Sequence, residues 1–216
     1  MVRTLVRMSD TGLRDTGLRE RKKRRMYQDV SEVAIGLFLE RGFDAVSVAE
    51  IAAAAEISKP TLFRYFPAKE DLVLHRFADH EDEAARVVDE RAEGQSPLEA
   101  LRVHFLDGLE RCDPVTGLND AEPVLAFHRL LYGTPSLVAR LSGFLERSEA
   151  ALARALGGDL EARLAAGQIV AVRRILAMEN VRRMTAGERA EEVRADAVAA
   201  AELAFRQLTT GLKRFA

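Results

Sequence analysis

Four side chains with charged or hydrogen-bonding ends crowd one short stretch: Lys59, Thr61, Arg64 and Tyr65. An ammonium, a hydroxyl, a guanidinium and a phenol do not make a catalytic set. They are natural ligands of phosphate oxygens and base edges. Arg64 is by type the best reader of guanine, and it suits a phosphate equally. Upstream, Arg19, Arg21, Lys22, Lys23, Arg24 and Arg25 fall within seven positions. Such a run is either a solvated tail or a strip that lies along a polyanion. The net charge of −2 hides an asymmetry: residues 1–69 carry 13 Lys+Arg against 9 Asp+Glu, a balance of +4, so the remainder carries −6. A basic start on an acidic body points that end toward nucleic acid.

Other chemistry is poorly represented. The single cysteine, Cys112, excludes a disulfide scaffold and a cysteine-based zinc site. His75 and His80 with Asp79 loosely resemble a metal cluster, but surface histidines on a helix explain them better. No phosphate-binding glycine loop, nucleophile elbow or zinc-binding His-Glu pair is present. No enzyme activity, metal or cofactor is expected. No run approaches a membrane span, and residues 1–25 are too charged for a signal peptide, so a cytoplasmic address without membrane partners is expected.

Helices must position these groups. In 216 residues, 48% are hydrophobic and only 6 are Pro, and strand formers are scarce beside alanine and leucine. The fold class is all-α, with roughly nine helices. Residues 1–18, with the tandem repeat Asp-Thr-Gly-Leu-Arg, read as a mobile arm. From Glu20, Tyr27, Val30, Val33, Ala34, Leu37 and Phe38 recur at helical spacing, and Gly42 stops that helix. Ser47-Val48-Ala49-Glu50 is a capping box opening a short helix. After a break at Glu56-Ile57, Ser58 caps the next helix, with Pro60 in its first turn. Lys69-Glu70-Asp71 opens a long helix. Further starts stand at Ser96-Pro97, Thr134-Pro135, Asp159 and the Thr185–Glu188 box, and Gly157-Gly158 is a stop. Two short helices joined by a tight break are helix-turn-helix geometry, with Val48, Ile51, Ala52, Ile57, Leu62, Phe63 and Phe66 as its core.

The stretch Leu37–Phe43, then Val48–Ala52, Ile57–Phe66 and Lys69–Leu72 resembles the DNA-binding domain of TetR-family transcriptional regulators over about fifty residues. The resemblance implies a homodimer, an N-terminal helix-turn-helix domain over residues 19–68, and a helical ligand-binding and dimerisation domain over residues 69–216. It also implies that Lys59, Pro60 and Thr61 start the recognition helix, and that Tyr65, Ser47 and Lys69 grip phosphate. Lys22, Lys23 and Arg24 then follow the backbone or enter a minor groove. One departure stands out: the family usually has glycine in the turn where this chain has Glu56.

In the C-terminal two-thirds, apolar residues at helical spacing line either a core or an effector cavity. Phe77, Phe105, Leu109, Phe127, Leu131 and Phe144 are the candidate lining, with His128, Arg147 and Arg173 as polar contacts. A buried arginine needs a partner, which an anionic ligand would supply. The helix start Gly133–Leu137 loosely resembles family members that sense acyl-CoA-like molecules, so the expected effector is a small, amphipathic molecule. Val193, Ala197, Ala200, Ala204 and Leu208 on the last helix, with Leu176 on the one before, form the expected dimer stripe. The expected function is that of a regulator, most often a repressor, released from a double-stranded operator by its effector. The alternatives are a helical lipid carrier or enzyme, and a DNA-binding regulator without a ligand.

Overall fold

The computed structural model describes residues 11–216, with side chains from Arg21 onward. Residues 1–10, the first part of the expected arm, lie outside the described residues. The described chain forms ten α-helices and three short 3₁₀ turns and contains no strand. The helices are α1 (Thr11–Arg41), α2 (Val48–Ala54), α3 (Lys59–Tyr65), α4 (Lys69–Leu74), α5 (Glu83–Asp89), α6 (Pro97–Glu110), α7 (Glu122–Gly133), α8 (Pro135–Ala155), α9 (Leu160–Thr185) and α10 (Ala190–Gly211). Among the described residues, no helix is long and apolar enough to cross a membrane.

Three boundaries differ from expectation. α1 begins at Thr11, inside the stretch expected as an arm and ahead of the helix start expected at Glu20. Gly12 and Gly17 weaken a helix by only about 1 kcal/mol each, and a helix nucleated further along propagates through them. The expected long helix from Lys69 is two helices, α4 and α5, separated by a 3₁₀ turn at His75–His80. Asp79, Glu81, Asp82 and Glu83 place four carboxylates in five positions. Like charges at three- and four-residue spacing disfavour an unbroken α-helix there. This split accounts for the tenth helix. The expected box at Thr185–Glu188 is also displaced: α9 runs to Thr185, Gly187 turns with φ +91, and Glu192 caps the backbone at Arg189 instead.

The chain divides into two compact units between Arg76 and Phe77. In the first, α1 packs on α2 and α4, and α2 packs on α3. Phe38, Val46, Ile51, Leu62, Phe66 and Leu72 fill its core. The buried Ser31 hydroxyl donates to the Leu72 carbonyl at 2.6 Å, which fixes α4 against α1. So α4, expected with the C-terminal domain, belongs to the first unit.

The second unit is a helical assembly in which α8 packs on α5 and α9, and α10 packs on α6 and α9. Val88, Leu101, Leu109, Leu152, Ile169, Val193 and Phe205 form a continuous core. Ala162, Ala165 and Ala166 on α9 are fully buried. The 112–121 connection docks on α9 through Gly117, at φ +75, where an added Cβ would lie 2.2 Å from the Ala177 carbonyl oxygen. The buried Asn180 amide donates to the Thr116 carbonyl at 2.9 Å beside it.

Candidate nucleic-acid interface and effector region

The helix-turn-helix is built by local chemistry. The Ser47 side chain accepts from the Glu50 N–H at 3.2 Å, while the Ser47 N–H donates to the Glu50 carboxylate at 2.8 Å. Arg41, in the last turn of α1, donates to the other Glu50 oxygen at 2.7 Å and ties α1 to α2. The Ser47 backbone N–H, its hydroxyl and Arg41 draw the Glu50 carboxyl down to about 2. Ser47 therefore serves the cap it was expected to make.

The turn resolves the Glu56 departure. The Ile57 N–H bonds to the Ala52 carbonyl at 2.9 Å and the Glu56 N–H to the Ala53 carbonyl at 3.1 Å. These are the two bonds of a Schellman motif, which requires a left-handed residue just past the helix. Glu56 adopts it, with φ +55. The turn keeps the geometry that glycine would give, and Glu56 carries the strain.

Ser58 opens α3 by accepting from the Thr61 N–H at 3.2 Å, and the two hydroxyls pair at 2.8 Å. Thr61 is thus half-buried and engaged in the cap. Leu62 and Phe66 point into the core, and Lys59, Pro60, Phe63 and Arg64 stand outward. Phe63, expected in the core, is 42% exposed. In a seven-residue helix only one stripe faces inward, and Leu62 already occupies it. The Lys59 ammonium lies 5.9 Å from the Phe63 ring centroid. Tyr65 is half-buried, edge-on to Tyr27 at 5.0 Å, with the Arg64 guanidinium over its ring at 5.2 Å.

Lys69 departs from expectation. It is half-buried, lies over the Phe43 ring at 4.3 Å and donates to the Phe43 carbonyl. It braces the connection after α1 rather than standing free for phosphate. Lys22, Lys23 and Arg24 are exposed on α1. Successive helical residues turn by about 100°, so these three fan around the helix and do not line one groove.

The expected effector residues do not form one group. Phe105 and Leu109 belong to the second unit's core, and Phe105 packs on Phe205 at 6.3 Å; they are core, not lining. Leu131 is fully buried and His128 is buried beside Phe127 and Tyr132. Arg147 is largely exposed and pairs with Glu81 at 2.9 Å, a surface ion pair of little energetic weight. Phe77, Phe127 and Phe144 do come together, with ring centroids 5.7 and 5.9 Å apart.

Arg173 has a partner that sequence reasoning missed: Glu83, at 3.6 Å. Glu83 also faces His80 Nδ1 at 3.1 Å and His104 Nε2 at 3.6 Å. Burial alone would raise the Glu83 carboxyl, but hydrogen bonds from His104 and His80 and the charges of His80 and Arg173 hold it well below the carboxylate range. The hydrogen bond to Glu83 raises His80, against its burial. The spacing of His80 and Glu83 was a legible signal; their pairing with α6 and α9 was not. The supposed pair of His75 and His80 serves separate ends, since His75 stacks on Tyr27 at 5.1 Å.

Three of the expected dimer residues are also reassigned. Val193, Ala197 and Leu208 lie in the second unit's own core, with Leu176 packed partly against it. Ala200 is exposed and Ala204 half-buried. The core stripe of α10 is Val193, Ala197, Ala201, Phe205 and Leu208.

An all-helical chain whose first unit caps, turns and presents a second helix in this way defines a helix-turn-helix DNA-binding protein. The family model described as bacterial regulatory proteins, tetR family, matches residues 31–75. The regulator TcmR of Streptomyces glaucescens is 33% identical over 159 residues, covering 73% of this chain and 64% of TcmR. The chain spans 22–26% of the length of three other curated relatives that it matches. GusR of Salmonella enterica has the same fold, with a TM-score of 0.54, 20% identity, and 88% of this chain and 96% of GusR covered. FadR of Bacillus subtilis, solved in complex with stearoyl-CoA, has a TM-score of 0.50 at 18% identity, covering 86% of this chain and 98% of FadR. Residues 31–75 thus carry the DNA-binding domain of the TetR family of transcriptional regulators.

Proposed function

We propose that this chain is a homodimeric repressor that binds a double-stranded operator through α3 and leaves it when a small amphipathic effector binds the second unit. The observation that carries the first half is the outward face of α3. Lys59, Pro60, Phe63 and Arg64 are exposed on a helix whose opposite side is anchored by Leu62 and Phe66. Such a face supplies cationic, guanidinium and apolar contacts at once, the mixture that major-groove edges and phosphates require. Thr61 and Tyr65 are half-buried, and their part is to hold the reading face in register, while Ser47, at the exposed start of α2, is a phosphate contact. Arg21 to Arg25 add salt-sensitive phosphate contacts from α1.

Dimerisation is supported by the distribution of exposed apolar side chains. Among the described residues the four most exposed large ones, Leu160 (66%), Leu164 (60%), Ile175 (59%) and Leu203 (51%), all lie on α9 and α10. On α9 they recur at spacings of four and eleven residues, which is one face of a helix. We place the contact there, with the exposed Ala200 beside Leu203, in place of the stripe expected from sequence. A two-fold pairing of these faces would present two recognition helices to two half-sites. Effector control is supported by a fold that holds stearoyl-CoA in FadR. The test is a gel shift with DNA flanking the chain's own gene. A specific shift that Lys59→Ala and Arg64→Ala abolish supports the reading. Binding that is equal on unrelated DNA, or unaffected by both changes, refutes it.

A further inference from the structure

The 3₁₀ turn at His75–His80 carries the boundary between the two units, at Arg76–Phe77. Its last residue, His80, meets a charged cluster of the second unit. His80 Nδ1 stands 3.1 Å from Oε1 of Glu83, the first residue of α5. The same oxygen faces His104 Nε2 on α6 at 3.6 Å, and Oε2 faces Arg173 on α9 at 3.6 Å. One carboxylate therefore links the turn to three helices.

The cluster has more cationic capacity than carboxylate. Arg173 is charged at every working pH and, with its side chain 17% exposed, needs a counter-ion. With both histidines neutral, Glu83 and Arg173 balance. A proton on His80 adds one positive charge, and the groups around it favour that proton. Glu83 binds it directly, and Asp113 from the connection after α6 and Asp79 in the turn itself act in the same direction. The neighbouring Glu81 is taken by Arg147 on α8, and Asp82 by Arg86. The hydrogen bond to Glu83 raises His80 against its burial. Its bond to Glu83 is therefore at full strength below the ordinary histidine value of about 6.5 and weakens as pH rises through the raised one. A hydrogen bond from an ionised donor is about twice as strong as a neutral one. Once His80 is neutral, Arg173 is the fixed cation that remains. Its contact has room to shorten, since 3.6 Å is beyond good hydrogen-bond length. The carboxylate has two places to go, and the proton on His80 chooses between them.

We propose that Glu83 is a proton-controlled latch on the connection between the units: with His80 protonated it holds the His75–His80 turn to the second unit, and with His80 neutral it closes on Arg173 and lets the turn loosen, which weakens operator binding. The inference rests on the operator reading above and adds regulation by pH to it. The step from turn to DNA is entropic. Each α3 must meet its half-site in one fixed place, and a connection with more conformations gives up more freedom when DNA fixes it.

The test uses the full chain at pH 6.5 and pH 8.5. Hydrogen–deuterium exchange, corrected for the intrinsic pH dependence of amide exchange, should show residues 75–83 exchanging severalfold faster at the higher pH, with α9 unchanged. This wild-type series needs no variant to fold. His80→Gln and Glu83→Gln should each remove the difference, and His104→Gln should keep it. Fluorescence anisotropy with DNA flanking the chain's own gene should show affinity falling severalfold over the same interval in the wild type and staying level in His80→Gln. Equal protection of the turn at the two pH values overturns the latch, as does a pH dependence that survives His80→Gln. A turn that loosens while specific operator affinity holds constant overturns the regulation. A turn that loosens in a chain that binds this DNA at neither pH would sink the operator reading and leave the latch standing.

Discussion

Replacing Glu56 by glycine should stabilise the first unit and tighten DNA binding, and the two effects have separable causes. Glu56 sits at φ +55 in the Schellman turn between α2 and α3. A left-handed backbone costs an L-residue about 1–2 kcal/mol. Glycine escapes that cost and loses about 0.4–1 kcal/mol more backbone freedom on folding. The net gain is about 0.5–1 kcal/mol. With a urea dependence of about 2 kcal/mol per molar, the midpoint rises by about 0.3–0.5 M. The charge is a second term. A carboxylate about 10 Å from a phosphate in water-like surroundings is repelled by about 0.4 kcal/mol. Two copies in a dimer make about 0.8 kcal/mol, close to fourfold in affinity. Glu56→Gln keeps the strained backbone and loses the charge. It should tighten DNA binding with an unchanged urea midpoint, whereas Glu56→Gly moves both. Urea unfolding followed by circular dichroism, paired with gel shifts at low salt, reads the two terms. A glycine variant whose midpoint is unchanged or lower would refute the claim that this turn stores strain.

Phe63→Ala and Lys59→Ala should each weaken operator binding by about 1–3 kcal/mol without loss of helicity; wild-type affinity in both would move the reading face off α3. Leu164→Glu with Ile175→Glu should yield a monomer in sedimentation, since buried like charges near a two-fold axis cost several kcal/mol. A persistent dimer would place the interface elsewhere. Gly117→Ala should destabilise the second unit by about 2 kcal/mol or more, because its Cβ meets the Ala177 carbonyl oxygen at 2.2 Å in a left-handed backbone; an unchanged urea midpoint would contradict that contact. His80 is raised in the folded state, so its contribution is fully present below its unfolded value of about 6.5 and fades as pH rises through the raised one. His80→Gln should therefore cost more stability at pH 6 than at pH 9, and equal losses at both would show that the Glu83 bond does not depend on the proton.

What could be read from the sequence was what the sequence encodes within a few residues. The caps at Ser47, Ser58 and Asp159, and the turns at Gly42 and Gly157, depend on neighbours three or four positions away, and each appears where its residue type puts it. Register within an apolar helix is different, because it depends on what the helix meets. On α10, alanines surround the axis from Ala197 to Ala204, so two stripes one position apart are almost equally apolar. The stripe through Ala200 and Ala204 was legible as an interface, yet the helix turns the one through Ala201 and Phe205 inward. Phe205 decides it: a ring buries far more apolar surface than a methyl, and α10 rotates to bury the ring. On the shorter α3, Leu62 shares its stripe with Phe66, and the two together outweigh Phe63, which stays outside. The Glu83 cluster lies furthest from local rules. Its carboxylate meets His80 three residues away, but also His104 and Arg173, which come from α6 and α9. No periodicity joins those positions; only the packing of α5, α6 and α9 around one core brings them together. The proposed DNA-reading face, confined to one short helix, is legible in outline, while a charged cluster drawn from several helices is written only in the fold.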